Sequence, residues 1–224
     1  MQCAGKCAVD YYSSIVLQKR IEGYPISWCE KIKIQQETTM AKKILVPLAE
    51  GFEMIEALSV VDAFRRAGAD VDMAAIGDTL LVTSSHNVQV MADSLLFDCK
   101  EKNYDLIVLP GGIPGAENLK NSSVLAELLR KQNDEGKLYG AICASPAVVL
   151  QHHGLLQGKR ATCHPFFADQ LTIQEKAGES VVIDKNCVTG RGAGTSIEFA
   201  LELVGLLLGE AKKKEVAKGM AIHV

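Results

Sequence analysis

From Met40 onward, short apolar runs alternate with amphipathic stretches, and that alternation restricts the possible folds more than any other property of the chain. A strand buried on both faces reads as a continuous apolar run, and two such strands running the same way need a crossover, usually a helix. The pattern predicts strands at residues 44–49, 71–76, 88–91, 106–109, 138–142, 160–162, 181–183 and 187–189. Helices belong between them. Residues 53–67 run up to Gly68, a helix stop, and Ser122 or Ser123 can cap a helix through Arg130. Further helices are expected at 146–151, 196–208 and 211–218, and 196–208, apolar on most faces, should be the most buried. The class is α/β with a mostly parallel sheet.

One apolar run leads straight into a cysteine. Residues 138–142 precede Cys143-Ala144-Ser145-Pro146, in which two small residues permit a sharp turn and Pro146 has the φ tolerated in a helix's first turn. The sulfur would face unpaired amide N–H groups at a helix start carrying roughly +0.5 of a charge. Such a setting can lower a cysteine pKa from about 8.5 to about 3.5–7.5. The alternative is an inert buried cysteine acting as a small hydrophobe. The strand-to-helix elbow, like the one that exposes the serine of α/β-hydrolases, favours a nucleophile.

Open α/β sheets bind ligands at the carboxyl ends of their strands, near a switch in strand order. Three loops belong there: Ala49-Glu50-Gly51-Phe52-Glu53, Pro110-Gly111-Gly112 and the Cys143 elbow. Glu56 and His164 are the two candidates to exchange protons with the cysteine. Glu53 and Glu56 lie three apart on one helical face. In a partly dry pocket beside sulfur, desolvation and like charge would raise the pKa of Glu56; the plainer reading is that Glu50, Glu53 and Glu56 match a helix dipole. His164 is either a general base or an ordinary surface histidine. Gly111 and Gly112 would let backbone N–H groups approach a developing oxyanion. His152-His153 reads as an exposed turn.

Several classes are excluded. Gly190-Arg191-Gly192-Ala193-Gly194-Thr195 is not a dinucleotide fingerprint, because Thr195 replaces the third glycine and the helix that follows leads to the chain end. It reads as a tight turn near the site. No Walker A sequence occurs, so no cofactor is expected. The net charge of -3 offers no electrostatic footprint for nucleic acid, and no apolar stretch reaches the roughly 20 residues of a membrane span. Lys212-Lys213-Lys214 fits a solvated last helix. Seven scattered cysteines, an odd number with no C-x-x-C pair, argue for a reducing, cytoplasmic setting and against a metal site; nuclear or organellar pools are also compatible. Residues 1–39 carry five basic and four acidic residues, too acidic for a transit peptide, and read as an appended extension that is disordered or not native. Residues 40–224 form the single domain.

Six segments of this domain together resemble the ThiJ/PfpI superfamily, in its parkinsonism-associated protein deglycase (DJ-one-like) branch. They are 49–56, Arg65-Arg66-Ala67-Gly68, Leu109-Pro110-Gly111-Gly112, 141–146, His164-Pro165 and Gly192-Ala193-Gly194-Thr195-Ser196. The resemblance implies a flavodoxin-like three-layer sandwich, with helices on both faces of the sheet, and a homodimer using the first helix. It implies an easily oxidised Cys143 with a protonated Glu56, and His164 near the sulfur. Gly112 and Ala144 align with backbone donors, Arg66 with an arginine on the substrate approach, and Glu53 lies on the same approach. Ala193 stands where the family often has proline, and His86 where relatives often have arginine.

The implied activity is that of a cofactor-free glyoxalase or deglycase. Its substrates would be methylglyoxal, glyoxal and their early adducts with thiols, amines and guanidinium groups. One rival reading is a redox sensor or chaperone that uses reversible oxidation of Cys143. Another is a cysteine hydrolase, for which the acid partner is missing: Phe166 stands where a glutamine amidotransferase carries glutamate.

Overall fold

A computed structural model describes residues 41–223, so the expectations for the extension 1–39 fall outside it. The strands in chain order are β1 (Lys43–Leu48), β2 (Asp70–Ala75), β3 (Leu81–Thr83), β4 (Gln89–Met91), β5 (Ser94–Leu95), β6 (Leu106–Leu109), β7 (Leu138–Ile142), β8 (Val181–Asp184) and β9 (Cys187–Gly190). The α-helices are α1 (Met54–Arg66), α2 (Gly115–Lys120), α3 (Ser123–Asp134), α4 (Ser196–Leu208) and α5 (Glu210–Gly219). The main sheet has the order β5-β2-β1-β6-β7-β9-β8. Every pairing in it is parallel except β8 with β9.

The continuous apolar runs are explained by two cores, one on each face of this sheet. In β1, Ile44, Val46 and Leu48 enter one core while Leu45 enters the other; in β6, Leu106 and Val108 divide from Ile107 and Leu109 in the same way. Alternate side chains of a strand point to opposite faces, so a strand covered on both sides must be apolar throughout. The first core is roofed by α1, α4 and α5. The second is roofed by α2, α3 and the segment Pro146–Gln151. This is the flavodoxin-like three-layer sandwich. Strand β2 lies on one side of β1 and β6 on the other, which places the switch in strand order, and the ligand crevice it creates, at the carboxyl ends of β1 and β6.

Three local expectations are corrected, and two short elements were not expected. Residues 160–162 form no ladder strand: the Thr162 N–H donates to Thr189 Oγ1 at 2.9 Å and the Arg160 N–H to Asp184 Oδ2 at 3.0 Å, so side chains take the bonds a neighbouring strand would have taken. Residues 88–91 contribute β4, which leaves the main sheet and pairs antiparallel with β3. The edge strand β5, two residues long, and the short helix α2 carry no periodic apolar signal. The stretch Pro146–Gln151 is π-helical rather than α-helical.

Candidate active site

Cys143 follows β7 directly and adopts φ 63°, a left-handed conformation that costs a residue with a side chain about 1–3 kcal/mol. Its surroundings hold it there. The Cys143 N–H donates to Gly190 O at 3.0 Å, its carbonyl accepts from the His164 N–H at 2.8 Å, and the Ser145 hydroxyl donates to Pro110 O at 2.5 Å. The sharp elbow expected from the small residues is therefore present, and β6, β9 and the 163–165 connection all brace it.

Glu56 lies in the first turn of α1 and is 1% exposed. Its Oε2 accepts the Gly111 N–H at 2.7 Å, while Oε1 has no partner of good hydrogen-bond geometry. The group the carboxyl meets is the Cys143 thiol. Burial raises its pKa from 4.5 to about 7, against the opposing effects of the Gly111 N–H and the thiol. The contact depends on a missing side chain: a Cβ on Gly111 would lie 2.7 Å from Cys143 Cβ and 2.9 Å from Glu56 Oε2.

Two expectations change here. Gly111 cannot donate to an oxyanion, because its N–H is already committed to Glu56. Gly112 and Ala144 do point backbone N–H groups at the sulfur, but they do not lower its pKa below the ordinary thiol range; burial and the charge of Glu56 outweigh them and push Cys143 up to about 12. Only six residues of helix follow the elbow, so few peptide dipoles add up behind the sulfur. Each ionised group opposes ionisation of the other, so sulfur keeps its proton at neutral pH while Glu56, near 7, is divided between acid and carboxylate.

Around this pair lies a cavity of about 450 Å³ bordered by Glu53, Glu56, Cys143, His164, Arg191 and the turn 192–195. Glu53 Oε2 accepts from Ser85 Oγ at 2.9 Å and lies 3.3 Å from His86 Nδ1. His164 is exposed at the cavity border, and its Nδ1 accepts the Phe166 N–H at 3.3 Å, an arrangement in which the neutral ring carries its proton on Nε2. Arg66 is not brought here by its own chain. It sits at the other end of α1, about 15 Å along the axis from Glu56, bound to Asp62 at 2.7 Å and Gly219 O at 3.4 Å. Among the described residues, no cluster of His, Cys, Asp or Glu could hold a metal. No helix there is long and apolar enough to cross a membrane.

A family model described as the DJ-1/PfpI family matches residues 42–206, a stretch that contains both members of the pair and the whole cavity border. The chain belongs to the DJ-1/PfpI family. DJ-1 homologs B and A of Arabidopsis thaliana are 46% and 40% identical to it over 80% and 99% of its length, and it spans 41% and 56% of theirs. Glutathione-independent glyoxalase DJR-1.2 of Caenorhabditis elegans is 36% identical over 80% of this chain and 95% of its own. Among solved structures, oxidized Toxoplasma gondii DJ-1 superposes with a TM-score of 0.80 at 43% identity, covering 82% of this chain and all of that one.

Within this DJ-1/PfpI site, sequence reasoning missed Arg191. It was absorbed into a glycine-rich turn, and no local pattern marks a cation that becomes a border residue only when β9 lies beside β7. The role of Gly111 as the donor that anchors Glu56 was equally hidden, since 55 residues separate the two.

Proposed function

We propose that this DJ-1/PfpI chain is a cofactor-free glyoxalase, with deglycase activity on early carbonyl adducts, in which Cys143 is the nucleophile and Glu56 the proton shuttle. The observation that carries the reading is a buried carboxyl with a pKa of about 7, anchored through one oxygen by Gly111 and set against a strained, braced cysteine. The relative named as a glutathione-independent glyoxalase supports it.

The steps start from the form in which Glu56 is ionised and sulfur carries the proton. Sγ of Cys143 adds to the aldehyde carbon of methylglyoxal, and the proton held by the pair moves to the carbonyl oxygen, giving a hemithioacetal. The ionised Glu56 removes the hydrogen on that carbon, forming an enediol, and returns it to the neighbouring carbon. The product is a 2-hydroxyacyl thioester; water cleaves it to lactate and restores the thiol. Gly112 and Ala144 steady negative charge on sulfur as it leaves, and His164 Nε2–H is placed to donate to a substrate oxygen. A homodimer through α1 accompanies this reading, with the exposed Ile55 on α1 and Ile197 on α4 as candidate contacts.

Lactate released from methylglyoxal without glutathione is the decisive measurement. Wild type should turn over with a pH profile governed by a group near 7, and Glu56→Gln should lose at least a hundredfold in kcat. Full turnover by Glu56→Gln would remove the shuttle. A second reading, a redox sensor at Cys143, is favoured by the two backbone N–H groups at sulfur, which would also hold an oxidised oxygen. It predicts no lactate from fresh reduced protein and unimpaired peroxide oxidation of Glu56→Gln.

A further inference from the structure

We infer that Arg191 makes the cavity selective for carbonyl compounds that carry a carboxylate, above all hemithioacetals of anionic thiols, over neutral or guanidinium-bearing ones. The inference rests on the glyoxalase reading for the chemistry at Cys143, and the charge preference itself can be tested apart from it.

The titratable groups bordering the cavity are Glu53, Glu56, Cys143, His164 and Arg191. All but one are committed. Glu53 is held by Ser85 and lies beside His86, Glu56 and Cys143 are held by each other and by backbone N–H groups, and His164 takes the Phe166 N–H. Arg191 is fixed by its backbone alone, its N–H donating to Ser180 O at 2.9 Å immediately after β9. Its guanidinium makes no hydrogen bond or ion pair among the described residues. By contrast Arg65, Arg66 and Arg160 each hold an aspartate, at 2.6, 2.7 and 3.0 Å.

An exposed arginine without a counter-charge at the border of a reaction cavity is a ready anchor for a carboxylate, which its planar fork binds through two parallel N–H bonds. Gly192 and Gly194 beside it add no side chain to obstruct the approach. The volume agrees. Methylglyoxal has five heavy atoms and occupies roughly the space of three or four waters, at about 30 Å³ each, whereas the cavity holds about 450 Å³. The remainder suits an adduct's tail, and the uncommitted charge beside it is positive.

Iodoacetate and iodoacetamide test this without requiring turnover, since they are close in shape and differ in charge. Each forms an S–C bond to Cys143 and expels iodide, with the thiol proton passing to buffer. Rates would be followed on the Cys143 peptide by mass spectrometry for wild type, Arg191→Gln and Arg191→Lys. The iodoacetate-to-iodoacetamide rate ratio should fall five- to tenfold in Arg191→Gln and less in Arg191→Lys, and high salt should lower it in wild type. A ratio unchanged in Arg191→Gln overturns the inference; should that variant fail to fold, a wild-type ratio indifferent to salt overturns it equally. In turnover, a bound hemithioacetal breaks its C–S bond, the hydroxyl proton leaving with the small thiol, and Sγ then adds to the freed aldehyde as above; the adduct of methylglyoxal with mercaptoacetate should exceed that with 2-mercaptoethanol in kcat/KM, by a margin that Arg191→Gln reduces. A wild type that makes no lactate while the alkylation ratio still shifts would sink the glyoxalase reading and leave the anion preference standing.

Discussion

Glu56 carries a stability cost and, in the proposed mechanism, the proton transfer, in one carboxyl. Its rise from 4.5 to about 7 means that the folded state favours the neutral acid, by about 3 kcal/mol. That contribution is fully present below pH 4.5 and is lost as pH climbs through about 7, because the fold then has to hold a buried carboxylate. Glu56→Gln keeps an uncharged acceptor for the Gly111 N–H at every pH. Urea unfolding should therefore show the variant gaining on wild type between pH 5 and pH 8 by up to about 3 kcal/mol; parallel curves would mean that the carboxyl is not desolvated. Gly111 lives under a tighter restriction, since an added Cβ would press on Cys143 Cβ and Glu56 Oε2 together. Gly111→Ala should destabilise by about 1–3 kcal/mol and abolish turnover, with denaturant midpoint and lactate assay as the two readouts. The identities of Cys143, Glu56 and His164 were legible in the sequence as chemistry-bearing residues beside turns. The proton balance between the first two was not, because a pKa depends on how much water and charge the whole fold leaves around a group.

At the scale of elements, long segments were easier to read than short ones. Helix α4 lies at the expected residues 196–208, and α1 within one residue of its expected bounds, because a dozen or more consecutive positions repeat the same apolar signal. Helix α3 starts where Ser122 caps it, its hydroxyl accepting from the Leu125 N–H at 3.3 Å, and runs a turn past Arg130. Ser122→Ala should cost about 1 kcal/mol, a fall in Tm of roughly 2–4 °C, with methylglyoxal turnover unchanged because Ser122 lies outside the Cys143 cavity. The misread segment 160–162 looks like a strand in isolation. What it lacks is a partner backbone, and the oxygens of Asp184 and Thr189 that replace one are 24 and 27 residues away.

For the whole molecule, the two cores decide where the candidate site can lie. The central strands β1, β6 and β7 send apolar side chains into both cores, and their carboxyl ends are where loops from distant parts of the chain converge. On the outside, Ile55 and Ile197 are 49% and 43% exposed on helices that pack against each other. If α1 forms the expected dimer contact, Ile55→Asp should convert the protein to a monomer in sedimentation velocity while the far-UV spectrum stays native. A wild type that sediments as a monomer removes that expectation.

Acting alone, the sequence determined the α/β class, the places of the long helices and central strands, and which cysteine, carboxyl and histidine stand beside turns, since periodicity and turn chemistry are local properties. Tertiary structure decided which backbone N–H anchors Glu56, that burial raises the pKa of carboxyl and thiol alike, and that Arg191 borders the cavity with no ion pair among the described residues. Those outcomes depend on distances between residues far apart in the chain and on the water excluded between them, which only the closed fold defines.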